Sequence, residues 1–276
     1  MLMDFQSDVF TLERDSGVAT LWLDNPEERN AMGPVFWEDL PRAMEVITDD
    51  DDVRAVIIAA KGDAFTVGLN LKTMGPLLMQ SQTQGSEVHI RRTLYREAKR
   101  LQSTINAVAD CPKPVIAAMH GYCIGGGIDL VTACDIRIAA ADTVFSVRET
   151  KIALTADLGT LQRLPRLIPA GHVAELVYTG KDITADRAQE IGLVNDVYPN
   201  ADALIAAAQS MAAEIAANSP LSVQGSKAVM QAGEGRTVEE ALDYVAVWNS
   251  AFLQSNDLTE AVTAFLEKRP PKFTGQ

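Results

Sequence analysis

The sequence predicts an α/β protein, and three features of the hydrophobic pattern support that prediction. Segments with strand-like and helix-like patterns alternate up to about residue 200. Two of the strand-like segments, VRAVIIAA at 53–60 and VIAAM at 115–119, are continuously apolar apart from Arg54, which is typical of strands buried on both faces of a parallel sheet. After these segments, the apolar positions of 201–276 have helical spacing only. We therefore expect a core over 1–200 that holds the active site, and an all-helical region over 201–276.

The chain begins with a hairpin and an amphipathic helix. Residues 9–14 and 18–23 alternate in hydrophobicity around the turn sequence DSG, which predicts two antiparallel strands. Residues 34–47 carry apolar side chains at helical spacing, and a proline stands in the first turn, where it is tolerated. The same criteria predict further strands at 53–60, 115–119, 136–140, 144–147 and 193–198, and further helices at 87–109, 128–133, 162–168, 170–179, 184–191, 201–217, 221–232, 237–254 and 257–268.

Two segments lack clear periodicity. Residues 61–70, KGDAFTVGLN, indicate a loop with two glycines that leads towards a helix. Residues 73–87 are rich in Gln, Ser, Gly and Met, which favours a mobile loop or a weak helix. We expect this second segment near the substrate entrance.

The bulk composition excludes several classes of protein. With 47% apolar and 22% charged residues, the 276-residue chain has the composition of a folded protein. Its net charge of -13 argues against nucleic acid as a partner, because a protein that binds the phosphate backbone carries a basic excess. No apolar run reaches the roughly 18 residues needed to span a bilayer, so no membrane contact is expected.

The cysteines and the ends of the chain bear on the cellular compartment. Cys111, Cys123 and Cys134 are too few and too irregularly spaced for a disulfide framework or a zinc site. We interpret them as buried thiols in a reducing compartment. The first residues lack a basic region followed by an apolar run, and the last residues are not a peroxisomal address of the Ser-Lys-Leu type. These features predict a cytoplasmic protein.

The stretch 120–167 holds the residues from which we predict an active site. Gly125, Gly126 and Gly127 stand immediately before a predicted helix, whose first turn would present free backbone N–H groups. Their spacing fits neither the GxGxxG dinucleotide motif nor the GxxxxGK phosphate loop. We interpret the turn as half of an oxyanion hole, with the second N–H from the loop at 65–69. Close packing of the helix is the alternative explanation for the glycines.

Three carboxylates follow the glycines from apolar or small surroundings. Asp129, Glu149 and Asp157 need an explanation, because a carboxylate removed from water is costly unless it is paired or protonated. Each has a structural alternative to a catalytic role. Asp157 could cap the helix that follows it, Glu149 could form a surface ion pair with Arg148 or Lys151, and Asp129 could be a hydrogen-bonded helix residue. The pattern alone leaves these alternatives open.

Several motifs resemble a known family. AFTVGLN at 64–70 and HGYCIGGGIDL at 120–130 look like the two oxyanion-hole signatures of the crotonase, or enoyl-CoA hydratase/isomerase, superfamily. The segments KPVIAAMHGYCIGGGIDLVTACDIR, TADLGTLQRLP, SPLSVQGSKAVM and ALDYVAVWN are most similar to its Δ3,5-Δ2,4-dienoyl-CoA isomerase branch. Asp129, Glu149 and Asp157 stand in register with that branch, and most other members carry no acid at the position of Asp157.

The resemblance implies a fold, an assembly and a substrate. The fold would be a crotonase-like spiral of ββα units over 1–200, with a helical trimerisation region over 201–276. The chain would assemble as a homotrimer or a dimer of trimers. An acyl-CoA thioester would bind with its carbonyl oxygen at the N–H groups of Leu69 and Gly126. The residues expected to line the CoA and substrate channel are Arg29, Ala31, Gly68, Asn70, Leu71, Lys72, Gly125 and Gly127.

The same branch implies a shift of double bonds from 3,5-dienoyl-CoA to 2,4-dienoyl-CoA in fatty acid β-oxidation. Glu149 would remove a proton at carbon 2 and Asp157 would return one at carbon 6, through a dienolate held in the oxyanion hole. Asp129 would tune the site through hydrogen bonds. No metal or redox cofactor is expected, since CoA is part of the substrate.

Two other functions stay open. An enoyl-CoA hydratase would use Asp129 and Glu149 to position water, with Asp157 incidental. A non-catalytic protein of the same fold would neither bind nor convert CoA thioesters. One departure from the family pattern is Asn70, which stands where Asp is common. We interpret that acid as structural, so the change leaves the chemistry intact.

Overall fold

The computed structural model describes residues 5–80 and 86–276. Strands and helices alternate in the first part of the chain, and the elements after the last strand are helical. The strands described are β1 (Phe10–Asp15), β2 (Val18–Leu23), β3 (Ala55–Ala60), β4 (Val115–Met119), β5 (Tyr122–Ile124), β6 (Ile136–Ala140), β7 (Val144–Ser146), β8 (Ile183–Thr184) and β9 (Asp196–Tyr198). The helices described are α1 (Pro34–Asp49), α2 (Leu71–Gln80), α3 (Glu87–Ala109), α4 (Gly126–Thr132), α5 (Thr160–Leu167), α6 (Ala170–Thr179), α7 (Ala185–Glu190), α8 (Ala201–Ala216), α9 (Pro220–Ala232), α10 (Val238–Phe252) and α11 (Asn256–Glu267).

The larger sheet has six strands in the order β1-β2-β3-β4-β6-β9. β1 and β2 form the predicted antiparallel hairpin, with Phe10 opposite Leu23. All the other neighbours in this sheet are parallel. Every residue of β3 and β4 is buried, as expected for parallel strands that are covered on both faces.

Side chains that alternate along the strands supply two separate cores. On one face, Val56 and Ile58 of β3 join a large cluster that includes Trp37 of α1. On the opposite face, Ala55 and Ile57 of the same strand pack in a second cluster with the small side chains of α8. The strict alternation explains why a continuous apolar run is required in β3.

A second sheet of three strands, β5-β7-β8, positions the glycine turn. β5 and β7 are parallel, with Ile124 opposite Ser146, and the Gly125 N–H donates to the Ser146 carbonyl at 2.9 Å. Thr66 forms an isolated parallel bridge with Cys123 of β5. The loop after β3 is thereby held beside the strand that leads into the glycine turn.

The helices of the C-terminal region differ in how much of their surface is buried. α8 packs on the larger sheet, whereas α10 has no buried residue. Lys227 of α9 is buried, and its Nζ donates to Asp135 Oδ2 at 2.7 Å and to the Lys113 carbonyl at 3.1 Å. Asp257 of α11 is also buried and accepts hydrogen bonds from Ser219 and from the backbone of the C-terminal segment. The division of the chain at residue 200 stays a prediction. The first helix after that position, α8, packs on the larger sheet.

The elements differ from the predicted ones in several places. β5 and β8 were not predicted, because strands of three and two residues are too short to show periodicity. The helix after the glycine run starts inside it, at Gly126. In the segment 73–87, a helix occupies part of the range as α2, and residues 81–85 lie outside those described. Among the helices described, none combines the length and the apolar character needed to cross a membrane.

Candidate active site

The glycine turn lies between β5 and α4. Gly125 adopts φ 56° and ψ -118°, a conformation that is strained for any residue with a side chain. A Cβ on Gly126 would lie 2.8 Å from the Met32 Sδ, and a Cβ on Gly127 would lie 2.7 Å from the Thr66 Cγ2. Close packing therefore does explain these glycines. Close packing does not exclude a binding role, because the Gly126 N–H is the first of α4 and has no acceptor within the helix.

The loop after β3 is fixed on both sides. Thr66 pairs with Cys123, and the Met32 N–H donates to the Gly68 carbonyl at 2.8 Å. Gly68 has φ 81°, and a Cβ there would lie 2.6 Å from the Ile124 carbonyl oxygen. A side chain at this position would push the loop away from β5.

The Leu69 N–H is the second donor. On either side of it, the Gly68 N–H donates to Thr66 Oγ1 and the Asn70 N–H donates to the Met32 carbonyl. Within the described part of the chain, the Leu69 N–H has no acceptor. Its nitrogen lies 4.0 Å from the Cβ position of Gly126. Two unsatisfied N–H groups this close together, both at the wall of one cavity, form a site for an oxygen with developing negative charge.

That cavity has a volume of about 510 Å³. Its wall is mainly apolar, but Asp129, Glu149 and Asp157 all contribute to it. The three acids that the sequence singles out are thus brought together with the two predicted donors. The apolar residues of the wall are Trp37, Val67, Leu69, Leu71, Leu94, Tyr95, Ala98, Leu101, Ile124, Ile152, Leu154 and Leu158.

Glu149 begins a short 3-10 turn (Glu149–Ile152) that follows β7. Its Oε1 lies 3.5 Å from the Cβ position of Gly125, and its Oε2 is buried without a hydrogen-bond partner among the described residues. Burial raises the pKa of Glu149, and the charge of Asp157 raises it further. Arg148 pairs with Asp182, and among the described residues Glu149 forms no ion pair with Arg148 or Lys151, so the explanation of Glu149 as a surface ion pair is wrong.

Asp129 lies in the first turn of α4 and is 1% exposed. Its Oδ1 accepts hydrogen bonds from the Thr160 N–H at 2.6 Å and from Thr160 Oγ1 at 2.7 Å. Burial raises the pKa of Asp129 to about 7, although the bonds from Thr160 oppose the increase; the charges of Glu149 and Asp157 add to it. The structural explanation, a hydrogen-bonded helix residue, therefore holds for one oxygen of this acid.

Asp157 lies on an exposed loop between the 3-10 turn and α5. Although the residue is exposed at the cavity wall, the protein around it partly removes its carboxyl from water and raises the pKa of that group. The capping explanation is wrong, because the N-cap of α5 is Gly159 and the first N–H of that helix donates to Asp129 instead. The backbone carbonyl of Asp157 accepts a hydrogen bond from Gln102 Nε2 at 2.7 Å.

The predicted channel residues fall into two groups. Leu71 and Gly125 line the cavity, whereas the other six are not part of its wall. Of these, Arg29 is exposed, with its guanidinium 6.0 Å from the centre of the Tyr122 ring. Lys72 is exposed as well, and Ala31 is half-buried. Gly68 and Gly127 give the loop and the turn their close packing.

Asn70 is the N-cap of α2 and is buried. Its Oδ1 accepts from the Lys72 N–H at 3.1 Å and the Thr73 N–H at 3.3 Å, and its Nδ2 donates to Glu28 Oε2 at 2.7 Å. These contacts support the interpretation of this position as structural.

The sequence did not identify the apolar wall. Leu94, Ala98 and Leu101 of α3 face the cavity at spacings of four and three residues. The signal was present in the sequence, but an apolar stripe on a helix looks the same whether it faces a core or a cavity.

Comparison with known proteins identifies the family. Residues 13–276 match the family model Enoyl-CoA hydratase/isomerase. The chain belongs to the enoyl-CoA hydratase/isomerase family. It is 42% identical to the mitochondrial Delta(3,5)-Delta(2,4)-dienoyl-CoA isomerase of Dictyostelium discoideum, over 93% of this chain and 87% of that protein. It is 40% identical to the peroxisomal protein of the same name from Arabidopsis thaliana, over 94% of this chain and 93% of that protein.

A solved structure supports the same assignment. The enoyl-CoA hydratase from Bacillus anthracis superposes with a TM-score of 0.87 and 30% identity, over 98% of this chain and 100% of that one. The crotonase-type fold predicted from the motifs is therefore confirmed, and the chain belongs to a family of enzymes that act on acyl-CoA substrates.

The predicted cytoplasmic location is contradicted. The similar isomerases are named as mitochondrial or peroxisomal proteins. The prediction rested on cysteine usage and on the absence of two targeting patterns. Neither feature determines the compartment, because the same fold can form in any of them.

Proposed function

We propose that this chain is a Δ3,5-Δ2,4-dienoyl-CoA isomerase of fatty acid β-oxidation. Relatives of that name at 40% and 42% identity support the proposal. The observation that carries it is a third acid, Asp157, at the same cavity as Glu149 and the two free N–H groups. A shift of two double bonds needs proton transfer at two distant carbons, and acids from two different segments of one cavity suit that task.

The reaction would begin with the thioester carbonyl oxygen at the N–H groups of Leu69 and Gly126. Glu149 would take a proton from carbon 2, and the electron pair would spread through the double bonds onto that oxygen as a dienolate. Asp157, in its protonated form, would give a proton to carbon 6, which leaves double bonds at positions 2 and 4. Glu149 would then release its proton to the solvent and Asp157 would take one up, which restores both acids. Each N–H that stabilises such an oxyanion contributes a factor of about 10² to 10³ in rate. These steps transfer protons only, so the proposal includes no metal or redox cofactor.

The raised pKa values of the acids fit such a shuttle. A base that must both accept and release a proton works best when its pKa is near the working pH, and burial raises the pKa of Glu149 and of Asp157 in that direction. The unpartnered Oε2 of Glu149 is a free acceptor. We assign Asp129 a tuning role, since one of its oxygens is already held by Thr160.

We further propose that CoA lies along the surface formed by the predicted channel residues. The phosphates of CoA are anionic, and Arg29 and Lys72 offer exposed cationic side chains there. Ala31, Gly68 and Gly127 would shape the channel through close backbone packing. Asn70 would contribute by fixing the start of α2.

A homotrimer, alone or as a dimer of trimers, is the assembly that we propose. The helices α10 and α11 expose many large apolar side chains, and exposed apolar surface of this kind marks interaction sites. Light scattering on the purified protein would test the proposal, and a monomer at all concentrations would contradict it. The exposed apolar side chains of these helices are Val238, Leu242, Val247, Phe252, Leu258, Val262, Phe265 and Leu266.

The proposed activity can be tested on purified protein. A 3,5-dienoyl-CoA should be converted to the 2,4 isomer, whose double bonds are conjugated with the thioester and therefore give new ultraviolet absorbance. Glu149→Gln should lose most of this activity, by a factor of about 10² or more, because its base at carbon 2 is gone. No conversion by the wild-type protein would contradict the proposal.

A hydratase is the second candidate, and the similarity to the Bacillus anthracis enzyme favours it. Asp129 and Glu149 would then hold a water molecule, and crotonyl-CoA would be hydrated. Hydration without isomerisation would establish this alternative. A non-catalytic protein of the same fold would do neither, and Glu149→Gln would have no functional effect in it.

A further inference from the structure

Asp157 differs from the other two acids in how it is held. Asp129 is anchored through its own carboxylate, and Glu149 lies against the glycine turn. The side chain of Asp157 has no such anchor among the described residues, and the residue is exposed on a loop. Its position therefore depends on what holds the backbone of that loop. A proton donor must be placed to within about 0.5 Å to be effective.

One contact holds the loop from the C-terminal side. Thr160 follows Asp157 by three residues, is fully buried, and gives both its N–H and its hydroxyl to Asp129 Oδ1. The two bonds, at 2.6 Å and 2.7 Å, tie the start of α5 to α4. Because Asp129 is itself buried in α4, its bonds to Thr160 hold the C-terminal end of the loop in a fixed position.

A second contact holds Asp157 itself. Gln102 of α3 donates from Nε2 to the Asp157 carbonyl at 2.7 Å. The orientation of the Gln102 amide is set by Lys99, whose Nζ donates to Oε1 at 2.9 Å. Gln102 follows Leu101, which lines the cavity, so the helix that forms the apolar wall also holds the acid.

We propose that Gln102 and Thr160 are positioning residues that hold Asp157 at the carbon 6 end of the substrate. This inference rests on the proposed isomerase function. One attachment at the Asp157 carbonyl and one at Thr160, three residues later, fix the backbone at the acid and on its C-terminal side. In this arrangement, part of the role of Asp129 is to anchor Thr160.

The inference separates two steps of the reaction. Removal of the carbon 2 proton needs Glu149 and the oxyanion hole, whereas protonation at carbon 6 also needs Asp157. If the loop loses an attachment, the dienolate should still form but should return to substrate more often. In D2O, Glu149 exchanges the proton it has taken for deuterium from the solvent, and return of the dienolate then places deuterium at carbon 2 of recovered substrate.

The experiment measures two quantities in D2O with the full-length protein. Product formation is followed by absorbance, and deuterium at carbon 2 of recovered substrate is followed by mass spectrometry. Asp157→Asn supplies the reference, because it removes the carbon 6 acid and should raise the ratio of exchange to product. Gln102→Leu and Thr160→Val should raise the same ratio, with kcat lower by about 10-fold to 100-fold, as expected for a small displacement of a reacting group.

Two matched controls protect the result. Thr160→Ser keeps both donors and should restore the wild-type ratio. Ser103→Ala changes an exposed residue next to Gln102 that bonds only to the Arg100 carbonyl, and it should leave both quantities unchanged. Circular dichroism and thermal melting confirm that each variant is folded.

Each outcome supports or overturns the inference. If exchange and product fall in parallel, or neither changes, Gln102 and Thr160 do not act through Asp157 and the inference is wrong. If Asp157→Asn itself leaves the ratio unchanged, the assigned role of Asp157 fails and takes the inference with it. If the wild-type protein makes no 2,4 product, it is the proposed function that fails.

Discussion

The two ends of the proposed active site, the oxyanion end and the carbon 6 end, are built in opposite ways. The oxyanion end is made of backbone: two N–H groups held by glycines that leave no space for a side chain. The carbon 6 end is a carboxyl on an exposed loop, held by hydrogen bonds from Gln102 and between Thr160 and Asp129. The first end can change only if the fold changes, whereas the second can be adjusted by single side chains.

A substitution that displaces an N–H group of the oxyanion end should cause the largest loss of activity. Gly68→Ala places a Cβ 2.6 Å from the Ile124 carbonyl oxygen at φ 81°, which should displace the Leu69 N–H. We expect a loss of activity by a factor of about 10² to 10³, the usual consequence of losing one oxyanion donor. Gly171→Ala is the matched control, because a Cβ there meets no atom within 4 Å. Equal activity of the two variants would contradict the rigid description.

Asp129 connects the two ends, and its titration should oppose folding. Its pKa is 3.8 in the unfolded chain and about 7 in the folded protein, so between these values the folded protein binds a proton that the unfolded chain has lost. The stability of the wild type should therefore decrease as pH rises from 4 to 7 relative to that of Asp129→Asn. The difference in the free energy of unfolding should grow by at most about 4 kcal/mol. Urea unfolding at several pH values measures it, and a difference independent of pH would refute the prediction.

The apolar wall should set the acyl chains that the site accepts. Ala98→Phe adds a large side chain to the cavity between Leu94 and Leu101. KM for a long acyl chain should rise by about 10-fold while that for a short one changes little, since overfilling a packed site costs about 1–3 kcal/mol. Ser103→Phe, on an exposed face of the same helix, is the control and should change neither KM.

The smallest effect is expected at Asn70. Asp is a good N-cap, but at this position it would bring a second carboxylate to Glu28, which now accepts a bond from the Asn70 amide. Asn70→Asp should therefore lower the free energy of unfolding by about 1 kcal/mol, and less at high salt. If Asn70→Asp raised the free energy of unfolding at low salt, the prediction would be wrong, because Glu28 would then avoid the new carboxylate without loss of stability.

The sequence predicts features that depend on the hydrophobic pattern or on the backbone, but not contacts between distant side chains. β3 and β4 were predictable because a parallel strand covered on both faces must be apolar at every position. The glycine turn was predictable as the start of a helix with free N–H groups, but the sequence could not separate an oxyanion hole from close packing, which the structure also shows at these glycines. The family resemblance added the roles of the three acids. The bond from Gln102 to the Asp157 carbonyl and the bonds from Thr160 to Asp129 were not predictable, since they join residues 55 and 31 positions apart that show no special pattern in the sequence.

The most direct test compares two reactions in one variant. Asp157→Asn and the wild type are assayed with a 3,5-dienoyl-CoA for isomerisation and with crotonyl-CoA for hydration. The wild type should isomerise, and the variant should lose most of that activity, by a factor of about 10² or more, because protonation at carbon 6 lacks its acid. Any hydration should change little, since it needs only Asp129 and Glu149. A variant that isomerises as fast as the wild type would contradict the account.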